Sequence, residues 1–134
     1  MGPADLRRAV EVREGLRALL LGNNGLPLDE RKVGQLDAAA GRAGIRVRFR
    51  PGEEPRLEAG REGIDGALGR LLAIAAAAAE NGTWERLKAC PREDCEWAFY
   101  DRSKNRSGRW CRMEDCGTAE KMRRYVIRRA AKKQ

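Results

Sequence analysis

The spacing of apolar residues predicts two helices at the start of the chain. From Ala4 to Leu21, apolar side chains recur every three or four positions, which is typical of an amphipathic helix. The motif Asn23-Asn24-Gly25 then supplies a stop signal. A second helix is predicted from Asp29, whose side chain suits the N-cap position, to Gly44.

A β-hairpin and a third helix follow. Residues 45–49 alternate strictly between apolar and charged side chains, residues 51–55 have the composition of a turn, and residues 56–59 resume the extended pattern. The alternation predicts a hairpin with one buried face. Residues 63–81 are expected to form a helix whose buried stripe consists of Ile64, Leu68, Leu71, Leu72 and Ile74. We expect the alanine run 73–79 to let a neighbouring element approach closely, although a low-complexity tract has the same composition.

Charge and aromatic residues divide the chain into two parts. Of the formal net charge of +8 on 134 residues, +7 lies in residues 83–134, which also contain all four cysteines and all three tryptophans. Arginine is far more frequent than lysine, which suits phosphate recognition but also follows from a GC-rich genome. We therefore predict an α/β domain over residues 1–82 and a basic module over residues 83–134.

Several functional classes are excluded by the composition. The chain has no histidine, so it contains neither a Ser-His-Asp nor a Cys-His pair and no imidazole base that titrates near neutral pH. An enzyme is therefore not expected. No apolar run has the length of a membrane helix, and the first residues do not resemble a signal peptide. These features predict a cytoplasmic protein with no membrane partner.

The four cysteines have the spacing of a zinc site. Cys90 and Cys95 form one pair and Cys111 and Cys116 another, each separated by four residues, with fifteen residues between the pairs. Without histidine, only an all-thiolate site is available, and such a closed site predicts one structural Zn²⁺. The alternatives are two disulfides or four reduced core thiols, and the missing export signal disfavours the disulfides.

The segment around the cysteines suggests a treble-clef-like finger. Residues 97–100 have the pattern of a strand, residues 101–108 of a turn, and residues 109–110 of a returning strand, before a helix that begins near Cys116. So small a unit depends on its metal to fold. The whole chain is therefore predicted to be α+β, with a small helical domain and a β-hairpin followed by a four-cysteine finger that ends in a basic helix.

The basic residues of the finger are the candidates for contact with nucleic acid. In the last helix Ala119, Met122, Val126 and Ala130 form one stripe, which we expect to pack, while cations form another. A basic helix end is also often only solvated. The four aromatic residues of the insert either stack on unpaired bases or form a small core around the metal. The predicted contact residues are Arg102, Lys104, Arg106, Arg109, Lys121, Arg124 and Arg128.

These motifs carry a family resemblance. Cys90-Pro91, the turn Phe99-Tyr100-Asp101-Arg102-Ser103 and the segment Arg109-Trp110-Cys111-Arg112-Met113 make residues 87–130 resemble the CGNR zinc-finger family. In that family the finger is expected to bind DNA and follows a domain called ABATE, described as a stress-induced transcription regulator. Residues 4–82 resemble the later part of that domain, through the helix motif 12–17.

Two departures from the family pattern are visible. The family continues Cys-Gly-Asn-Arg, whereas this chain has Cys116-Gly117-Thr118-Ala119, so the resemblance implies that contacts made by that arginine are lost and that Lys121 carries part of its role. The strand segment that precedes the first helix in the family is also not found, and Met1-Gly2-Pro3 is either an artificial or a short natural start.

The leading hypothesis is a bacterial, nucleoid-associated transcription regulator that binds double-stranded DNA through its finger. The first alternative is a zinc-stabilised interaction module that docks an acidic partner, such as a protein of the transcription machinery. The second alternative is an RNA-binding zinc module. A homodimer would suit repeated half-sites in DNA, although no heptad pattern indicates one.

Overall fold

Residues 1–133 are described by a computed structural model of the α+β class, as predicted. Along the chain, two helices are followed by a pair of short strands, a third helix, a second pair of strands and a last helix, and each pair of strands is antiparallel. A 3₁₀ turn at Trp84–Arg86 and a π-helical turn at Met113–Gly117 complete the chain. The helices and strands are α1 (Pro3–Asn23), α2 (Glu30–Ala43), β1 (Arg46–Arg48), β2 (Arg56–Glu58), α3 (Gly63–Glu80), β3 (Leu87–Ala89), β4 (Ala98–Tyr100) and α4 (Thr118–Ala131).

The chain folds into two units that are not simply consecutive. The first unit contains residues 1–19 and 28–85, and the second contains residues 20–27 together with the chain from residue 86 onward. The end of α1 and the loop after it therefore belong to the cysteine-containing unit, a feature that the apolar pattern does not predict.

The three helices of the first unit form its core, and their predicted positions are confirmed. Asp29 caps α2 by accepting a hydrogen bond from the Lys32 amide at 3.1 Å, and Gly44 ends the helix with a φ of 61°. Apolar side chains from all three helices meet in one cluster. Its members are Val12, Leu36, Ala39 and Leu68, flanked by Ala9, Leu16, Leu19, Ile64 and Leu72.

The predicted buried face of the β-hairpin is wrong. The hairpin itself is present, with Val47 paired to Leu57, but Val47 is 51% and Phe49 77% exposed. Val47 and Leu57 face an open cleft of about 810 Å³ beside α3, and Ile74 lines the same cleft. Leu71 and Ile74 are consequently exposed, so the buried stripe of α3 is narrower than the sequence pattern suggests.

Close packing of α3 occurs at a glycine that precedes the alanine run. A Cβ added at Gly69 would lie 2.6 Å from the Ala43 Cβ and 2.9 Å from the Ala59 Cβ. The side chains of Ala77 and Ala79, within the run, are exposed. The other alanines of the run are half-buried, so the expectation for the run stays a prediction, and the tight contact at Gly69 lies one to three turns earlier along the helix.

The strand pairing in the second unit also differs from the prediction. Strand β4 forms as expected, but it pairs with β3, in the register Leu87 to Tyr100, and not with residues 109–110. Residues 109–110 form no strand, and the backbone oxygens of Gly108 and Arg109 accept hydrogen bonds from the side chains of Lys88 and Asn24. None of the helices described, α4 included, is both long and apolar enough to cross a membrane.

Candidate zinc centre and basic surface

The fold brings the four cysteines into one cluster. All four sulfur atoms lie within 4.8 Å of one another, and the Sγ of Cys111 is 3.6 Å from both Cys95 and Cys116. Four sulfurs at the corners of a tetrahedron around zinc, each about 2.3 Å from the ion, would be about 3.8 Å apart. The sulfur positions therefore fit one tetrahedral Zn²⁺.

The two cysteine pairs are positioned by different local structures. The Cys90 amide donates to the Trp97 oxygen at 2.9 Å, and the Cys95 amide donates to the Arg92 oxygen at 3.0 Å, which closes the first loop. The second pair spans the π-helical turn, where Gly117 lies against the side chain of Met113. A Cβ at Gly117 would lie 2.5 Å from the Met113 sulfur, so a larger residue there would require the exposed Met113 side chain to move.

The environment of the cluster shifts the pKa values of its thiols in different directions. Burial and the neighbouring thiols raise the pKa of Cys111 to about 12, so this group does not lose its proton near neutral pH without a metal. A hydrogen bond with the Trp97 backbone lowers the pKa of Cys95. Arg92 lies with its Nη1 3.9 Å from the Cys116 sulfur, and this contact raises the pKa of the guanidinium. The Arg92 charge offsets part of the −2 that four thiolates and Zn²⁺ carry.

The structure favours zinc over the alternatives considered for the cysteines. All four are free, and sulfurs 3.6 Å apart are well beyond the disulfide bond length of about 2.05 Å. Reduced cysteines that serve only as core residues have no reason to bring all four sulfur atoms within 4.8 Å of one another. The donor set leaves no position for a water molecule, so the chemistry of the site is structural, and bound zinc would hold the two loops together.

A buried ion pair shapes the loop between the cysteine pairs. Lys88 Nζ donates to Asp101 Oδ2 at 2.7 Å and also to the oxygens of Arg106 and Gly108, and both charged side chains are almost fully buried. Burial by itself raises the pKa of Asp101, but the hydrogen bonds from Lys88 and Ser103 outweigh it and hold this pKa well below its usual range. The loop 101–108 is thus anchored at both ends.

The predicted contact residues all lie at the surface of the second unit. Arg109 places its guanidinium 5.7 Å from the centre of the Trp110 ring and lines a cleft of about 460 Å³ together with Arg124. Lys121, Arg124 and Arg128 lie along one side of α4. The other three residues lie on the loop 101–108, and the seven exposed residues are Arg102, Lys104, Arg106, Arg109, Lys121, Arg124 and Arg128.

The expected packing of α4 is wrong. Every residue from 121 to 133 is exposed, including Met122 and Val126, which were expected to pack. The helix is fixed only at its start, where it follows the π-helical turn and where Thr118 Oγ1 donates to the Met113 oxygen at 3.0 Å. From Met122 onward its apolar stripe is therefore uncovered by the rest of residues 1–133, whereas Ala119 at its start is partly buried.

The four aromatic residues of the insert are neither all buried, as a core around the metal requires, nor all exposed, as stacking on unpaired bases requires. Phe99 and Trp110 are partly buried, which suits a small core, whereas Trp97 is 71% and Tyr100 44% exposed. Trp97 helps to position the cysteine cluster through its backbone oxygen, which accepts a hydrogen bond from the Cys90 backbone N–H. A single mini-core of all four rings around the metal is therefore not formed.

Three residues of the site were not found from the sequence. Lys88 has no distinguishing pattern in an apolar strand, and Asn24 was assigned only to a helix stop. Arg92 lies inside the first cysteine loop but was counted only as part of its spacer. The turn motif around Asp101 indicates that this residue shapes the loop, but nothing in the sequence identifies Lys88 as its buried partner.

The fold and this site define a class of protein: a small helical unit joined to a four-cysteine zinc finger with a basic helix. Two family models match the chain: ABATE, described as "Putative stress-induced transcription regulator", over residues 1–82, and the CGNR zinc finger over residues 86–129. The chain therefore belongs to the ABATE family and carries a CGNR zinc finger. None of the curated proteins compared with it matches.

The departure from the family signature has a structural counterpart. At the positions of its Asn and Arg, this chain has Thr118, whose hydroxyl bonds the Met113 oxygen, and Ala119, which is partly buried at the start of α4. The four cysteines of this chain converge with Thr118 and Ala119 at these positions. Lys121 is exposed on the first turn after these positions.

Proposed function

We propose that this protein is a DNA-binding transcription regulator whose zinc finger presents a basic loop and a basic helix to duplex DNA. The observation that carries the proposal is the row of Lys121, Arg124 and Arg128, which are spaced by three and four residues on α4. Among residues 1–133, no carboxylate lies within ion-pair distance of Lys121 or Arg128. Arg124 lies 3.5 Å from the Glu120 carboxylate, which also pairs with Arg123, so the row presents two unpaired cations and one paired cation, an arrangement that suits the phosphates of a polyanion.

The loop 101–108 supports the same proposal. Arg102 and Lys104 are exposed and have no ion pair with any described carboxylate, while Lys88 and Asp101 hold the loop backbone beneath them. An anchored loop loses little conformational entropy when it binds a phosphate. The proposed role involves no catalysis and would place the protein with DNA in the bacterial cytoplasm.

The proposal is tested by titrating the zinc-loaded protein against random duplex DNA, single-stranded DNA and RNA at two salt concentrations, with fluorescence anisotropy as the readout. Tighter binding to the duplex is expected. If about five phosphates are contacted, log K falls with log salt with a slope of about −4.5. Preference for RNA would instead support the RNA-binding alternative.

A matched pair of variants tests the helix. Replacing Lys121, Arg124 and Arg128 by Ala removes three charges from α4, and we expect the salt slope to become less steep by about 2.7 units. The control replaces Arg7, Arg31 and Arg61, three exposed arginines of the first unit, and removes the same charge. Equal weakening by both triple variants would mean that net charge, and not the α4 surface, governs binding.

The interaction module is the second candidate, and one observation favours it. Met122 and Val126 are 57% and 60% exposed and lie on the side of α4 opposite the basic row. An acidic protein segment with its own apolar side chains would cover this stripe, whereas DNA would not. Met122→Ser with Val126→Ser leaves duplex binding unchanged under the main proposal. Failure of the zinc-loaded protein to bind any of the three nucleic acids at low salt would favour the interaction module.

A further inference from the structure

Asn24 links the two chain segments that carry the cysteine pairs. It directly follows the last residue of α1, in the segment 20–27 that belongs to the second unit, and is only 8% exposed. Its Nδ2 donates to the oxygen of Ala89 at 2.9 Å and to the oxygen of Arg109 at 2.7 Å. Ala89 immediately precedes Cys90, and Arg109 lies two residues before Cys111. One buried amide therefore fixes the distance between the starts of both cysteine loops.

The loop that holds Asn24 has a defined shape of its own. The backbone N–H of Asn24 donates to the backbone oxygen of Leu21 at 3.0 Å, and Gly25 follows with a φ of 82°, a conformation that favours glycine. The preceding Asn23 donates from its Nδ2 to the Leu87 oxygen at 2.9 Å. Two consecutive asparagines thus bind strand β3 and the segment before Cys111, so the loop is docked on the finger by side-chain hydrogen bonds.

We propose that Asn24 is a positioning residue of the zinc centre and that the segment 20–27, the end of α1 with the loop after it, is a component of the finger. The zinc site needs its four sulfurs at fixed distances, and the Asn24 side chain adds to two other links between the segments, from Lys88 to the Gly108 oxygen and from Arg92 to Cys116. Loss of the Asn24 donors leaves the Ala89 oxygen buried without this partner, which favours separation of the two segments. Residues outside the ligand set that orient ligands typically change metal affinity by about 10–100-fold.

The coupling works in both directions. If the docked loop stabilises the zinc-bound arrangement, then zinc must stabilise the docked loop by the same free energy. Zinc occupancy is therefore expected to order residues 20–27, which lie more than sixty residues before the first cysteine. The inference concerns the metal site alone and does not depend on DNA binding.

The first test replaces Asn24 by Asp in the full chain, a substitution of equal size that removes both donors. Transfer of zinc to a chromophoric chelator should accelerate by about tenfold or more. The control Asn105→Asp makes the same chemical change at an exposed position of the same unit and should leave the rate unchanged. A role in folding stability alone would lower the unfolding temperature of Asn24→Asp but leave zinc transfer from the folded protein at the rate of the control. That result would overturn the proposal.

The second test uses the unaltered protein, so it stands even if Asn24→Asp does not fold. Hydrogen exchange is measured by mass spectrometry before and after zinc is removed by a chelator. Peptides that cover residues 20–27 should lose protection together with those that contain the cysteines, while peptides from residues 28–85 keep theirs. Unchanged protection of residues 20–27 after zinc removal would overturn the proposal.

Discussion

Lys88 is the residue on which the geometry of the finger's exposed loop depends. Its ammonium group is buried and donates three hydrogen bonds, one to the Asp101 carboxylate and two to backbone oxygens near the end of the loop. A lysine has three donors, so its capacity is fully used. The buried ion pair thus holds both ends of a loop that has no regular secondary structure of its own.

Removing one partner of this pair should be costly. Lys88→Met leaves the Asp101 carboxylate buried without its cation, and we expect the finger to lose about 3–5 kcal/mol of stability. Burial raises the pKa of Asp101 and the contact with Lys88 lowers it, so this pKa should rise when Lys88 is replaced. Denaturant unfolding of the zinc-loaded protein, followed by tryptophan emission, measures the loss.

The double variant Lys88→Met with Asp101→Asn supplies the control for this prediction. It removes both charges and should be more stable than Lys88→Met alone, because no unpaired charge stays buried. Equal stability of the single and double variants would show that the backbone hydrogen bonds of Lys88 matter and its charge does not.

At the scale of elements, small residues decide how closely the helices and strands approach. Gly69 of α3 lies against Ala43 and Ala59, which fixes the helix next to the end of α2 and the end of β2. By contrast, Gly34 of α2 has open space where a Cβ would lie. Two helical glycines of the same unit therefore have opposite structural roles.

The same substitution at these glycines should have opposite effects. Gly69→Ala places a methyl group into contacts too short to accommodate it, so we expect a net loss of about 1 kcal/mol or more. Gly34→Ala improves helix propensity and should stabilise the protein by about 0.5–1 kcal/mol. Thermal unfolding followed by circular dichroism compares the two, and stabilisation by both variants would contradict the packing at Gly69.

At the scale of the whole molecule, the two units depend on different interactions. The first has an apolar core formed by three helices, whereas the second places buried cysteines and one buried ion pair where a larger core would lie. A unit with so little apolar burial depends on its metal, since zinc binding contributes directly to its folding free energy.

Zinc removal should therefore unfold one unit and spare the other. In a protein whose other tryptophans, Trp84 and Trp97, are replaced by Phe, a strong chelator or the substitution Cys111→Ser should change the emission of Trp110 and abolish nucleic-acid binding. Most of the helical circular dichroism should be retained from α1, α2 and α3. Simultaneous loss of the entire helical signal would show that the first unit does not fold without the second. Unchanged Trp110 emission would contradict the structural role of the metal.

The amino-acid sequence by itself determined the elements with local causes. Helix periodicity, the Asp29 cap, the hairpin turn and the equal spacing of the cysteines depend on residues a few positions apart, and each was predicted. The absence of histidine together with the equal spacing of four cysteines predicted an all-thiolate metal site, and that prediction required only the positions of a few residues.

Only the tertiary structure decided which surfaces are covered. The apolar stripes of the hairpin and of α4 have the same pattern as buried ones, yet Val47 and Val126 are exposed, because burial depends on a neighbour that periodicity cannot identify. Lys88 with Asp101, and Asn24 with Ala89 and Arg109, join residues that are 13 to 85 positions apart. Such partners are chosen by the path of the folded chain, so the sequence supplied the four zinc ligands and the fold supplied the contacts that hold them in place.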